Sequence, residues 1–207
     1  GQFIAKLEPT LDVMMGSTVF GSGSGTFDIS PSAFLVDICG NMYVSGWGAN
    51  ILQSNPMSGM PVTSDAFQQT APNGFDFYLI VIEREFNSLL YGTYMGGNIA
   101  EEHVDGGTSR FDKNGVVYQG VCGGCGGNSD FPTTQNAWSD QNLASNCNAL
   151  VFKFDFNLIP NAEFTVDDNM GCAPFEVTFD NFSSESDSYM WNFGDGNLDS
   201  TTFEPTI

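Results

Sequence analysis

The sequence predicts an all-β protein, and three observations carry that prediction. Short apolar or alternating runs are broken throughout by Gly, Asn, Asp, Ser and Pro, the pattern of many short strands joined by turns. No stretch shows sustained helical periodicity. The same motifs recur in the same order: Ile4, Leu79 and Leu150 sit in successive copies, separated by 75 and 71 residues. Recurrence at a fixed interval points to a repeat architecture.

Each unit is built from matching pieces. "GSTVFGSGSG" at 16–25 matches "YGTYMGGNIA" at 91–100, and "AFLVDICGNMYVSGWG" at 33–48 matches "TSRFDKNGVVYQGVCG" at 108–123. "MPVTSDAFQQ" at 60–69 matches "DFPTTQNAWS" at 130–139. "FIAKL", "FYLIVIEREFNSLLYGTY" and "ALVFKFDFNL" are three versions of a closing strand. The Asn/Gly turns "CGN" and "KNG" suit tight hairpins, because these residues tolerate positive φ. A unit therefore holds about four antiparallel strands: one near "GTY", a hairpin pair and the closing strand. That is the build of a β-propeller blade. Successive units are expected at about 16–82 and 91–154, within a repeat region at 1–158. The surplus over an ordinary blade lies in the loops 49–74 and 124–148, where recognition is expected on a rigid β frame. Asp37 and Asp112 stand at equivalent places before the two turns, so they read as turn formers.

Residues 160–207 differ. "FEVTF" and "YMWNF" alternate large and small residues as strands do, and a Gly-Asp-Gly turn follows in "WNFGDGNLDS".

Composition narrows the function. The 207 residues carry 25 acidic against 5 basic side chains, a net charge of -20. Such a chain repels nucleic-acid phosphates and anionic membrane surfaces. No stretch of about 18 apolar residues exists to span a bilayer as a helix. Both ends fall inside strand-like sequence, so the chain reads as a segment of a longer protein. No nucleophile elbow, phosphate loop or zinc-protease motif occurs, and no residue is assigned a catalytic role. Trp47, Trp138 and Trp191 fall in repeat motifs or a core strand and read as packing residues.

Five cysteines remain. "VCGGCGGNSD" offers no helix start to activate a thiol, so a redox centre is disfavoured. Cys122, Cys125, Cys147 and His103 contain the ligand types of a zinc site, but the spacing is irregular, and His103 reads as a loop residue. A disulfide is the preferred reading. Cys125–Cys147 and Cys122–Cys147 both close the loop 124–148, and over this span closure is worth roughly 3 kcal/mol. Cys39 and Cys172 remain as a second candidate pair. An odd total leaves at least one cysteine outside any internal bridge.

The motifs "YGTYMGG", "VDICGNMYVSGWG", "DFPTTQNAW" and "FIAKL" resemble the SBBP-type β-propeller repeats of secreted bacterial proteins. "GCAPFEVTFDNFSS" with "WNFGDGNLDS" resembles a PKD domain, an immunoglobulin-like sandwich, here without its closing region. The resemblance implies a fold of propeller blades at 1–158 followed by a partial sandwich at 160–207. It also implies a non-enzymatic extracellular role, as a cell-surface scaffold or adhesin of the kind exported by the type 9 secretion system in gliding bacteria. Partners would be cell-surface or secretion-system proteins, or glycans. A polysaccharide-degrading or carbohydrate-binding propeller is the rival class, and cargo held in a secretion assembly is a third. No cofactor is required. Calcium is the metal candidate, at Asp167 and Asp168 in "VDD" and at Asp195 in "GDGNLD", because carboxylates and loop carbonyls are its ligands.

Overall fold

The computed structural model describes residues 1–48, 56–184, 186 and 188–207, and only the backbone of 105–108. Residues 49–55, the start of the expected recognition loop 49–74, lie outside the described residues. The described chain is all-β. Among the described residues no helix is long and apolar enough to cross a membrane. The chain divides into two units, Gly1–Phe156 and Asn157–Ile207.

In the first unit, β1 (Gln2–Leu7) and β2 (Met14–Phe20) form an antiparallel hairpin. Strands β3 (Ile29–Val36), β4 (Met42–Gly48), β5 (Phe77–Ile82) and β6 (Leu89–Met95) form a four-stranded antiparallel sheet in chain order. Strands β7 (Glu101–Phe111), β8 (Val117–Cys125) and β9 (Asn148–Phe154) form a three-stranded sheet.

Local chemistry explains the hairpins. At the β3–β4 turn, Asp37 Oδ1 accepts the N–H groups of Cys39 and Asn41, both at 2.8 Å, and Gly40 takes φ 87°. At the β7–β8 turn, Asp112 Oδ1 accepts those of Asn114 at 2.8 Å and Val116 at 3.1 Å, and Gly115 takes φ 81°. Tyr43 and Tyr118 each donate their hydroxyl to the second oxygen of the respective Asp. The two aspartates are Asx-turn formers, doing at both turns what this side chain does locally. Among the described residues, the non-glycine positions with positive φ are Leu11, Phe86 and Asn157. Their intervals, 75 and 71 residues, are those of the sequence repeat.

The sheet boundaries differ from the expected units of 16–82 and 91–154. Strand β6, the "YGTYM" strand, closes the sheet before it rather than opening the next. It follows β5 through a tight turn in which Phe86 N donates to Glu83 O, and it pairs Leu79 with Thr93. The earlier β1–β2 turn repeats that bond between Leu11 N and Glu8 O. A short hairpin forces sequential strands to pair, and this overrides the grouping suggested by motif order.

The core lies on both faces of the central sheet. On one face Met42, Val44, Tyr78, Ile80, Ile82 and Tyr94 pack together, joined by Met57 and Met60 from the preceding loop. Ile4 and Phe20 of the β1–β2 hairpin pack against this cluster. On the other face Phe77 meets Phe152 edge-on at 5.1 Å, Tyr43 meets Phe111 and Phe156, and Gln119 Nε2 donates to Ser45 Oγ at 2.5 Å. Burial on both faces is why "FYLIVI" is uninterrupted by polar residues, where a half-buried strand alternates.

The second unit pairs β10 (Phe164–Val166) with β11 (Phe179–Asn181), and β12 (Trp191–Asn192) with β13 (Leu198–Asp199). Phe164, Phe179, Trp191 and Phe193 form its aromatic cluster, with neighbouring centroids 5.5 to 5.9 Å apart. The Gly-Asp-Gly turn forms as its residues demand: Gly194 and Gly196 take φ 83° and 97°, and Asp195 caps Asn197 N at 2.8 Å.

Candidate functional site

Two constellations in the first unit carry chemistry. The first stands at the mouth of the loop 124–148. Gly123 pairs with Asn148 across β8 and β9, so the residues just beyond this pair meet. Cys125 and Cys147 are joined there in a disulfide. The loop is held independently as well. Asn142 Nδ2 donates to Gly124 O and Asn146 O, each at 2.7 Å, and Gly126 N donates to Asn146 Oδ1 at 3.1 Å. Gly124, at φ 64°, sits where Asn128 O would lie 2.5 Å from an added Cβ. Glycine is therefore demanded by space and conformation together.

His103 is a strand residue of β7, not a loop residue. Its Nδ1 lies 3.7 Å from Cys125 Sγ, and its ring lies 5.9 Å from that of Trp47. The ligating atoms of His103, Cys125 and Cys147 lie within 4.8 Å of one another. With both sulfurs committed to the bridge, neither is a thiolate ligand. Cys122 is outside the bridge; it is half-buried on β8, opposite Ala149 and His103 in the strand register. Cys39 and Cys172 are exposed thiols, not joined to each other.

The calcium candidates of the second unit are not gathered into one cluster. Asp167 Oδ1 accepts from Thr178 N at 3.0 Å and Asp168 N at 2.9 Å, while Asp195 accepts from the backbone and side-chain nitrogens of Asn197, both at 2.8 Å. These bonds hold both carboxyls below the usual carboxylate range. Asp195 acts as a local turn acceptor, and Asp167 as an acceptor across the β10–β11 hairpin.

The second constellation was not singled out from the sequence. Asp76, one residue before β5, and Glu102, near the start of β7, are both fully buried. With Asp130, from the loop after β8, they converge on Gly96 and Gly97. A Cβ on Gly96 would lie 2.2 Å from Asp76 Oδ1, and one on Gly97 would lie 2.7 Å from Asp130 Oδ1. Backbone donors serve two of the three acids. Glu102 accepts Gly97 N at 3.3 Å and Gly124 N at 3.4 Å; Asp130 accepts Ile99 N at 2.7 Å and Ala100 N at 3.1 Å. Neither carboxyl oxygen of Asp76 has a donor. Two carboxylates are both acceptors, so Asp76 and Glu102 bond to each other only when one holds a proton. Burial, then the negative charge of Glu102 and a hydrogen bond with it, pushes the Asp76 carboxyl up to about 8; burial raises Glu102 as well. The bond between Glu102 and Gly97 N has a structural counterpart one repeat earlier. Asp28, at the start of the preceding sheet, accepts Ser22 N at 3.0 Å much as Glu102 accepts Gly97 N, and Ser22 and Gly97 are one repeat apart.

A groove between the β1–β2 hairpin and β3 is lined by Phe3, Ile4, Phe20, Pro31 and Phe34, and no titratable side chain lines it. No family model matches the chain, and no curated protein does.

Proposed function

We propose that residues 1–156 are consecutive β-propeller blades of the SBBP-like kind, that 157–207 belong to a PKD-like module, and that the segment is a non-enzymatic extracellular scaffold or adhesin. The observation that carries the reading is recurrence in three dimensions. The Asx hairpin turns at Asp37 and Asp112 repeat the same two backbone bonds and the same tyrosine bond, and the second turn repeats at Leu11 and Phe86. Sheets bearing these turns pack on both faces of the central one, which is how blades bury their sides. The disulfide suits an oxidising compartment. Export by a type 9 system, and partners among cell-surface proteins or glycans, follow from the resemblance of the motifs. The rival hydrolase reading needs two carboxyls in an open cleft. The converging pair Asp76 and Glu102 is instead sealed from solvent, which favours the scaffold.

The test is a paired assay on the purified chain: binding to whole cells and to immobilised glycans, and release of reducing ends from the same polysaccharides. Saturable binding without new reducing ends is expected. Polysaccharide turnover, or silence against every cell and glycan surface, would overturn the reading.

A further inference from the structure

The geometry points to a hard divalent-cation site, Ca²⁺ in the first place, ligated by Asp76 and Glu102 with Asp130 in its outer sphere, tying the start of β5 to the start of β7.

The reasoning begins from an imbalance. Two carboxyls face each other at zero exposure, and a third stands beside them. Isolated buried charge is among the costliest arrangements in a protein: a buried carboxyl is paired, metal-bound or held protonated. Among the described residues the ion pairs found are those of Arg84 with Glu83 and Glu85, so no basic side chain compensates the cluster. Backbone N–H groups serve Glu102 and Asp130 but leave both Asp76 oxygens without a donor. An orphaned, fully buried carboxyl aimed at a second carboxyl is what a cation between them would satisfy.

The donor set decides the kind of cation. All the groups offered are oxygens, which excludes a preference for soft metals. The three acids do not form one tight ligand cluster of the sort His103, Cys125 and Cys147 make. Asp130 is therefore placed in the outer sphere, where it would orient a bound water. Irregular oxygen coordination suits Ca²⁺, whereas Mg²⁺ demands a near-ideal octahedron and holds its own waters. Gly96 and Gly97 make the convergence possible, because a side chain at either would occupy the space the carboxyls share.

The test uses the whole 207-residue chain in moderate salt, which screens the diffuse counter-ions drawn by a charge of -20. Calorimetric titration with CaCl₂ and thermal melts in Ca²⁺ or in chelator are compared for the wild type and five variants. The wild type is expected to bind Ca²⁺ with a dissociation constant of roughly 0.1–1 mM, as extracellular modules do, and to melt higher in Ca²⁺ than in chelator. Asp76→Asn and Glu102→Gln should each remove this response, and Asp130→Asn should weaken binding by about tenfold. The exposed Asp140→Asn and Asp167→Asn should leave it intact. Asp76→Asn should also remain folded in chelator, because the amide keeps the size of the carboxyl and leaves one acid fewer in the buried cluster; its melt checks this separately. The proposal is overturned if the wild type shows no Ca²⁺ response, or if Asp76→Asn retains it in full.

Discussion

Replacing both Cys125 and Cys147 by serine removes the bridge across the mouth of the long loop. The bridge spans 22 residues, and in the chain-entropy description closing a loop of that length stabilises by roughly 3 kcal/mol, through restriction of the unfolded chain. The native loop should survive the change, since Asn142 and Asn146 still tie it to Gly124 and Gly126. Urea denaturation followed by circular dichroism is the assay. The double variant should lose about 3 kcal/mol, and its m-value should rise slightly, because the uncrosslinked chain exposes more surface on unfolding. Wild type reduced by a dithiol should match it. A loss under about 1 kcal/mol, well below the chain-entropy expectation, would refute the reasoning. It would mean that the unfolded loop is already constrained, or that the bridge strains the native sheet.

Other outcomes follow from the buried polar groups. In cation-free buffer the folded first unit keeps a proton near Asp76 that the unfolded chain releases above its ordinary carboxylate pKa, so stability should fall as pH rises from about 4 toward 8. The groups facing Asp76 are Glu102, Asp130 and Tyr94; Asp76→Asn should flatten the slope of urea midpoint against pH, and a flat wild-type profile would contradict this. Tyr94→Phe strips the acceptor from the buried Met60 N–H, bonded at 2.7 Å, and should cost about 1–3 kcal/mol in the same denaturation assay. An unchanged midpoint would show that this N–H finds another partner.

How much was legible in the sequence depended on how local the cause was. The turns at Asp37, Asp112 and Asp195 follow from a side chain capping its own backbone, and they could be read directly. The run "FYLIVI" announced a strand, although its burial on both faces is a property of its neighbours. The pairing of β6 with β5 could not be read from motif order, because motif order does not specify which side of a unit boundary a strand joins. The choice between Cys125 and Cys122 as partner of Cys147 depended on the β8–β9 register, which no spacing rule supplies. His103 looked like a loop residue because "AEEHVDGG" lacks clean alternation; register shifts in β7 at His103 account for that irregularity. The acid cluster escaped notice because Asp76, Glu102 and Asp130 lie far apart in the chain and meet only across sheets. In the second unit the long alternating stretches shrink to strands of two or three residues.

The central claim, that successive sheets of the first unit pack face to face, is tested most directly by a double-mutant cycle on Phe77 and Phe152. Their rings meet at 5.1 Å with an interplanar angle of 70°, one from β5 and one from β9. Leucine at each position singly and together, measured by urea denaturation, should give a coupling of about 0.5–1.5 kcal/mol. Strictly additive losses would place the two residues out of contact and contradict the stacked-sheet account.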